Sequence, residues 1–178
     1  LDTGLDYTHE AFSTMPTSDK VWTKDYISSV VASGKLNAAA SADDLYYNKK
    51  VPYAYDYADN DADVFPQYSS HGTHVAGIVA GKSSYVVNRV NGKEETFTGV
   101  APEAQLVIGK VFTDNLDSEG LGGANSIDIL AAVSDCVELG VDVINMSLGS
   151  SAGFSDEKSD NFTNSVYNRV REAGISLV

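Results

Sequence analysis

Two short blocks hold the residue types for proton-transfer chemistry: Asp2-Thr3-Gly4, and His71-Gly72-Thr73-His74-Val75-Ala76-Gly77 further along. An imidazole with an ordinary pKa of ~6.5 can take a proton from a hydroxyl and return it to a departing amine. A carboxylate that accepts the imidazole Nδ1–H fixes its tautomer and stabilises the imidazolium formed on the way. Asp2 and His71 are read as such a pair, orienting acid and general base. Other readings start from the same residues. Asp-Thr-Gly alone also serves as a plain turn, or as half of an aspartic peptidase dyad, which needs a second carboxylate facing the first. His71 and His74 stand three apart, as two metal ligands on one helix face would. The Glu of the zinc-peptidase helix pattern is missing there, and no third ligand suggests itself.

A third block, Asn145-Met146-Ser147-Leu148-Gly149, follows in the order Asp, His, Ser-Leu-Gly. Together the three resemble the subtilisin-like serine peptidases (subtilases), most closely over the His71 block and least over residues 12–50. The resemblance implies an α/β fold, a parallel sheet with helices on both faces. It makes Asp2 and His71 two members of an Asp-His-Ser triad and His74 a structural neighbour. It implies that Gly120, Leu121 and Gly122 pair with an extended substrate, and that Ser147, Leu148 and Gly149 wall the primary specificity pocket. Read without it, residues 119–123 are equally a flexible loop before a helix. The family's nucleophile lies in a Gly-Thr-Ser-Met-Ala block, which does not occur in these 178 residues. The oxyanion-binding Asn is expected beyond Val178 as well. The Tyr-rich run and acidic tail of Val51–Asp63 are most similar to the cell-envelope proteinases of Gram-positive bacteria. That similarity implies a secreted, wall-associated parent acting on protein or peptide substrates through an acyl-enzyme, with no organic cofactor and room for structural Ca²⁺. The chain alone is expected to be inert. A non-catalytic relative that keeps the fold for binding is the alternative.

These blocks need elements to hold them. Apolar residues at helical spacing mark Gly72–Ala80, Ser126–Leu139 (stopped by Gly140) and Asn161–Ala173 (stopped by Gly174) as helices. Asp25–Leu36 and Ala38–Tyr47 read as shorter ones. Val51–Tyr57, Gln105–Phe112, Val141–Met146 and the run from Ile175 read as strands. Asn91-Gly92 between Tyr85–Val87 and Glu95–Thr98 is a hairpin signal. Alternating strands and helices call for a parallel sheet with right-handed crossovers. Tyr46, Tyr47, Tyr53, Tyr55 and Tyr57 are expected to pack rather than to stack on a ligand.

Composition narrows the partners. Twelve Lys+Arg against twenty-five Asp+Glu leave a net charge of −13, which repels nucleic acid and anionic membranes. No apolar run reaches the ~18–20 residues of a membrane span. Cys136 is the lone cysteine, so no internal disulfide forms, and it reads as a small buried residue. Asp59–Asp63 alternates acids like the opening of a Ca²⁺ loop, but Val64 and Ser70 stand where an EF-hand needs Gly and Glu. A solvated acidic loop is the expectation. Residues 1–178 are expected to form one partial peptidase domain, opening as a central strand ends and closing within another strand. Its unpaired sheet edges are expected to favour association.

Overall fold

The computed structural model describes residues 1–90, 93–120, 122–149 and 161–178. Strand β1 (Tyr53–Asp56) and strand β4 (Val107–Lys110) pair in parallel, Tyr53 opposite Val107 and Asp56 opposite Lys110. Strands β5 (Val143–Ile144) and β6 (Ser176–Leu177) form a second parallel pair. Leu1 and Asp2 stand between the pairs. Asp2 donates its N–H to Gly109 O at 3.1 Å and accepts from Val111 N–H at 2.9 Å, while the Leu1 ammonium donates to Asn145 O at 2.7 Å. The parallel arrangement expected from the sequence is present as two short ladders bridged by these two residues, and β5 is shorter than the apolar run 141–146 suggests. Between β1 and β4 in sequence, β2 (Lys82–Val90) and β3 (Lys93–Thr98) form the expected antiparallel hairpin; its Asn91-Gly92 turn lies outside the described residues.

Helices cover both faces because β1 alternates between two cores. Ala54 points into the cluster of Leu5, Phe12, Val64 and Ala76, under helix α3 (His71–Ala80). Tyr53, Tyr55 and Tyr57 point the other way, onto helices α1 (Lys24–Ala32), α2 (Ala42–Leu45) and α4 (Ser126–Leu139). Each tyrosine brings a hydroxyl that needs a partner inside. Buried Asp135 supplies one, accepting from Tyr57 at 2.9 Å and from the Asn37 and Ala38 amides at 2.7 and 3.0 Å. The tyrosines thus pack as expected, and one acid ties the 37–38 turn to α4.

Local sequence sets the helix ends. Thr23 caps α1, a Ser41–Asp44 capping box starts α2, and the Asn125 side chain accepts from Ile127 N–H at 2.9 Å to start α4. Gly140, at φ 74°, closes α4. Helix α5 (Asn161–Glu172) runs to the same kind of stop at Gly174 and lays Val166 and Val170 against Leu130, Val133 and Cys136. Cys136 is buried, and burial pushes its thiol up to about 11, so it is a packing residue.

Candidate active site

His71 is the first residue of α3, and its Nδ1 lies 2.7 Å from Asp2 Oδ1. The same oxygen accepts the Thr3 N–H at 2.7 Å, which holds the carboxylate beside its own turn. The Asp2 side chain is 10% exposed and that of His71 51%. The acid is therefore screened from water while the ring opens to it. Among the described residues nothing hydrogen-bonds to His71 Nε2, so that nitrogen is free to face a reacting group. Asp2 Oδ2 is buried and accepts no hydrogen bond there either. The carboxylate's two partners, the imidazole and the Thr3 N–H, therefore both meet it at Oδ1.

The helix that carries His71 is not capped from within. Ser70 stands at its N-cap without a side-chain hydrogen bond. Thr3 takes over that role: its hydroxyl accepts the Gly72 N–H at 3.0 Å and donates to Ser69 O at 3.1 Å. In return, Thr73 Oγ1 accepts the Asp6 N–H at 2.8 Å. Two threonines therefore stitch the Asp2 turn to the His71 helix. Sequence reading left both without a role. The available signal was a pair of hydroxyl residues adjoining the acid and the base, in a helix start lacking its own cap.

Two glycines make the approach close enough. Gly4 sits at φ +107°, and a β-carbon there would come within 2.3 Å of Val64 O. Only glycine adopts that backbone freely. A β-carbon on Gly72 would reach 2.3 Å from Gly4 O and 3.1 Å from the Asp2 β-carbon. His74, one turn further on, is exposed and lines a different cavity with Phe12, Tyr68 and Phe97.

Below the site, buried Lys110 forms ion pairs with Asp56, with Asp59 (3.3 Å) and with Asp114 (3.1 Å). Asp59 also accepts from Thr113 Oγ1, Asp114 N–H and Asn115 Nδ2. Asn60, Asp61 and Asp63 are exposed, as a solvated acidic loop requires, while Asp59 departs from that reading: it is partly buried and its oxygens are taken. Asp61 and Asp63 each bind a backbone N–H two residues on. The run thus does not converge on a cation, and no set of three or more acidic, His or Cys side chains among the described residues could hold a metal ion.

The two expected substrate walls rest on one core. Ala124 forms an antiparallel bridge with Phe112, and Thr113 N–H donates to Gly123 O at 3.1 Å. Gly122 lies so close to Thr113 that a β-carbon would come within 2.2 Å of its carbonyl oxygen. Gly120 is exposed at φ +77°, and Leu121 lies outside the described residues. Leu148 packs in the cluster that holds Phe112. Ser147, exposed beside it, accepts from Asn145 Nδ2 at 3.0 Å, and Gly149 is exposed.

An α/β fold that seats a buried aspartate against a histidine at a helix start defines the class of the subtilisin-like domain. The chain belongs to the Subtilase family, whose profile matches residues 1–178. It is similar to the PII-type proteinase of Lactococcus lactis subsp. cremoris, 34% identical over 155 residues, covering 86% of this chain and 7% of the relative. The C5a peptidase of Streptococcus pyogenes is 29% identical over 178 residues, covering all of this chain and 14% of that protein. An intracellular serine protease of Paenibacillus polymyxa is 37% identical over 91 residues, 51% of this chain and 23% of the relative. The lactococcal relative meets the resemblance read from Val51–Asp63. The chain spans 7% of the length of the lactococcal proteinase it matches. No helix among the described residues is long and apolar enough to cross a membrane.

Proposed function

We propose that this chain supplies the acid and base of a serine endopeptidase, Asp2 and His71, and that the Ser nucleophile and oxyanion Asn come from sequence outside these 178 residues. The observation that carries the reading is the 2.7 Å contact between Asp2 Oδ1 and His71 Nδ1, with Nε2 left facing outward. Asp2 holds the tautomer in which Nδ1 carries the proton. His71 Nε2 then takes the proton of the attacking Ser hydroxyl as its oxygen bonds to the scissile carbonyl carbon. Asp2 stabilises the resulting imidazolium. On collapse of the tetrahedral intermediate the C–N bond breaks, and Nε2 returns that proton to the leaving amine. Water repeats the sequence to release the acyl group. The chemistry requires no organic cofactor.

Substrates are proteins or peptides, bound extended along Gly120, Leu121 and Gly122, with Ser147, Leu148 and Gly149 as the facing wall. The resemblance of Val51–Asp63 to cell-envelope proteinases favours a secreted, wall-associated parent. The −13 charge favours no nucleic acid as partner.

Two assays test this. The purified 178-residue chain is expected to show no turnover of a fluorogenic peptide. Turnover that disappears in His71→Ala would overturn its inertness. In a longer protein that includes the downstream sequence, His71→Ala and Asp2→Asn are each expected to lower kcat by roughly 10⁴-fold with KM little changed. A parent whose hydrolysis survives both changes is not using this pair.

A further inference from the structure

Helix α3 has a second open face. Thr73, His74 and Gly77 fall on one side of it, at the spacing that brings helical side chains into line. Gly72 meets the Asp2 turn and Ala76 sits in the core on the other side. The first side opens on a cavity of about 930 Å³, bounded by residues 6–12 and 65–70 and by Phe97 of β3. Aromatic rings give it apolar walls. Phe97 lies across the helix, its ring carbons 3.9 Å from where a β-carbon on Gly77 would stand. Phe65 is held edge-on to Tyr7, centroids 5.8 Å apart, and Tyr68 stands 67% exposed.

Asp6 and Glu10 supply the charge. Asp6 Oδ1 accepts from the Thr8 N–H and hydroxyl at 2.9 and 2.6 Å, and Glu10 Oε1 from the Ser83 and Ser84 hydroxyls at 2.9 and 3.1 Å. Each carboxylate is thus held by one oxygen. Asp6 Oδ2 and Glu10 Oε2 have no hydrogen-bond or ion-pair partner among the described residues. No Lys or Arg among those residues lines the cavity, so its two charges are not cancelled locally. Carboxylates beside aromatic faces suit a cation with an apolar stem, above all a guanidinium, which bonds carboxylate oxygens in its plane and stacks on rings. The Tyr68, Ser69 and Ser70 amides, on the same wall, donate no hydrogen bond among the described residues. Three consecutive free donors match the carbonyls of an incoming main chain, and a simple amine would leave them unused.

The geometry points to a binding site for a cationic peptide segment on the α3 face turned away from Asp2. An arginine side chain pairs with Asp6 and Glu10, its stem lies against Tyr68 and Phe97, and its main chain bonds the 68–70 amides. The cavity exceeds one side chain in size, and a neighbouring apolar residue fills the part walled by Phe65. Ser70 directly precedes His71, so the occupant is anchored next to the base without using it. The site stands independently of the peptidase reading, since neither Asp2 nor His71 takes part in it.

The test titrates the 178-residue chain with acetyl-Gly-Arg-Phe-Gly-amide and follows its amide resonances. Saturable shifts are expected at Tyr68, Ser69 and Ser70. The same peptide with citrulline for arginine, alike in shape but uncharged, should bind roughly tenfold or more weakly. The arginine peptide should lose as much against Asp6→Asn with Glu10→Gln, which keeps the oxygens that accept from Thr8, Ser83 and Ser84. Tyr68→Ala should weaken it roughly threefold or more. Unmoved amides, or equal binding of the citrulline peptide, would overturn the site. N-ethylguanidinium binding as tightly as the peptide would overturn the choice of occupant in favour of a small organic cation. The titration is repeated on a longer protein that includes the downstream sequence and carries His71→Ala. The same preference is expected there, and loss of binding would show the face to be covered by the protein's own chain. Hydrolysis has no bearing on any of these readouts.

Discussion

Gly72 of the histidine helix rides directly on Gly4 of the aspartate turn: a β-carbon added to Gly72 would stand 2.3 Å from the Gly4 carbonyl oxygen. The obstacle is backbone, which cannot swing aside as a side chain can. Contact between two main chains is thus what sets the Asp2–His71 distance.

Gly72→Ala is accordingly expected to force the helix start away from the turn. The cost is about 1–3 kcal/mol, the range for overpacking a tight contact. Urea denaturation of the 178-residue chain measures it, with the His71 ring resonances reporting the separation from Asp2. A variant within about 0.5 kcal/mol of the parent, with unchanged ring resonances, would contradict this account.

Thr3→Val keeps the shape of the side chain and removes the hydroxyl that caps α3. Loss of a cap costs about 1 kcal/mol. Thr3→Ser should recover most of it, because the capping oxygen returns. If Val and Ser variants unfold at the same urea concentration, the cap contributes nothing.

Asp59 and Lys110 make stability fall at opposite ends of the pH scale, while Asp56 beside them, raised by burial, opposes the acid limb in part. Burial alone would raise Asp59, but the Thr113 hydroxyl, the Asp114 amide and the Lys110 ammonium more than offset it and hold its carboxyl below the usual range. A depressed folded pKa stabilises above the unfolded value of ~3.9 and is lost as pH falls through the folded one. Burial would likewise lower Lys110, but Asp56 and Asp114 hold it above an ordinary lysine. That contribution is complete below ~10.4 and disappears as pH rises through the folded pKa. Asp59→Asn should flatten the acid limb of a denaturation midpoint plotted against pH, and Lys110→Gln the alkaline limb. Unchanged limbs in both variants would remove the cluster from the explanation.

Much of the scaffold was legible because its signals are local. Apolar spacing from Ser126 to Leu139 and the glycine after it predict α4 and its stop, and both are found. Tyr53, Tyr55 and Tyr57 alternate with smaller residues and are buried as the pattern requires. Local signals misjudged other positions. The run Val141–Met146 is apolar throughout, yet only Val143 and Ile144 form a ladder, since pairing depends on how far β6 reaches. Asp59 looked like one acid among several in a solvated loop. Lys110, distant in sequence and buried beneath it, turns it inward.

The amino-acid sequence by itself pointed to Asp2 and His71 as a pair, to the span of α4 and its stop at Gly140, and to the apolar strand faces. Those properties follow from side-chain type, short-range capping and periodicity, all settled within a few residues along the chain. Tertiary structure alone decided that Thr3 caps a helix it does not belong to, and that Gly4 and Gly72 let two main chains touch. Such relationships join residues far apart in sequence, and they appear only once packing has brought the segments together.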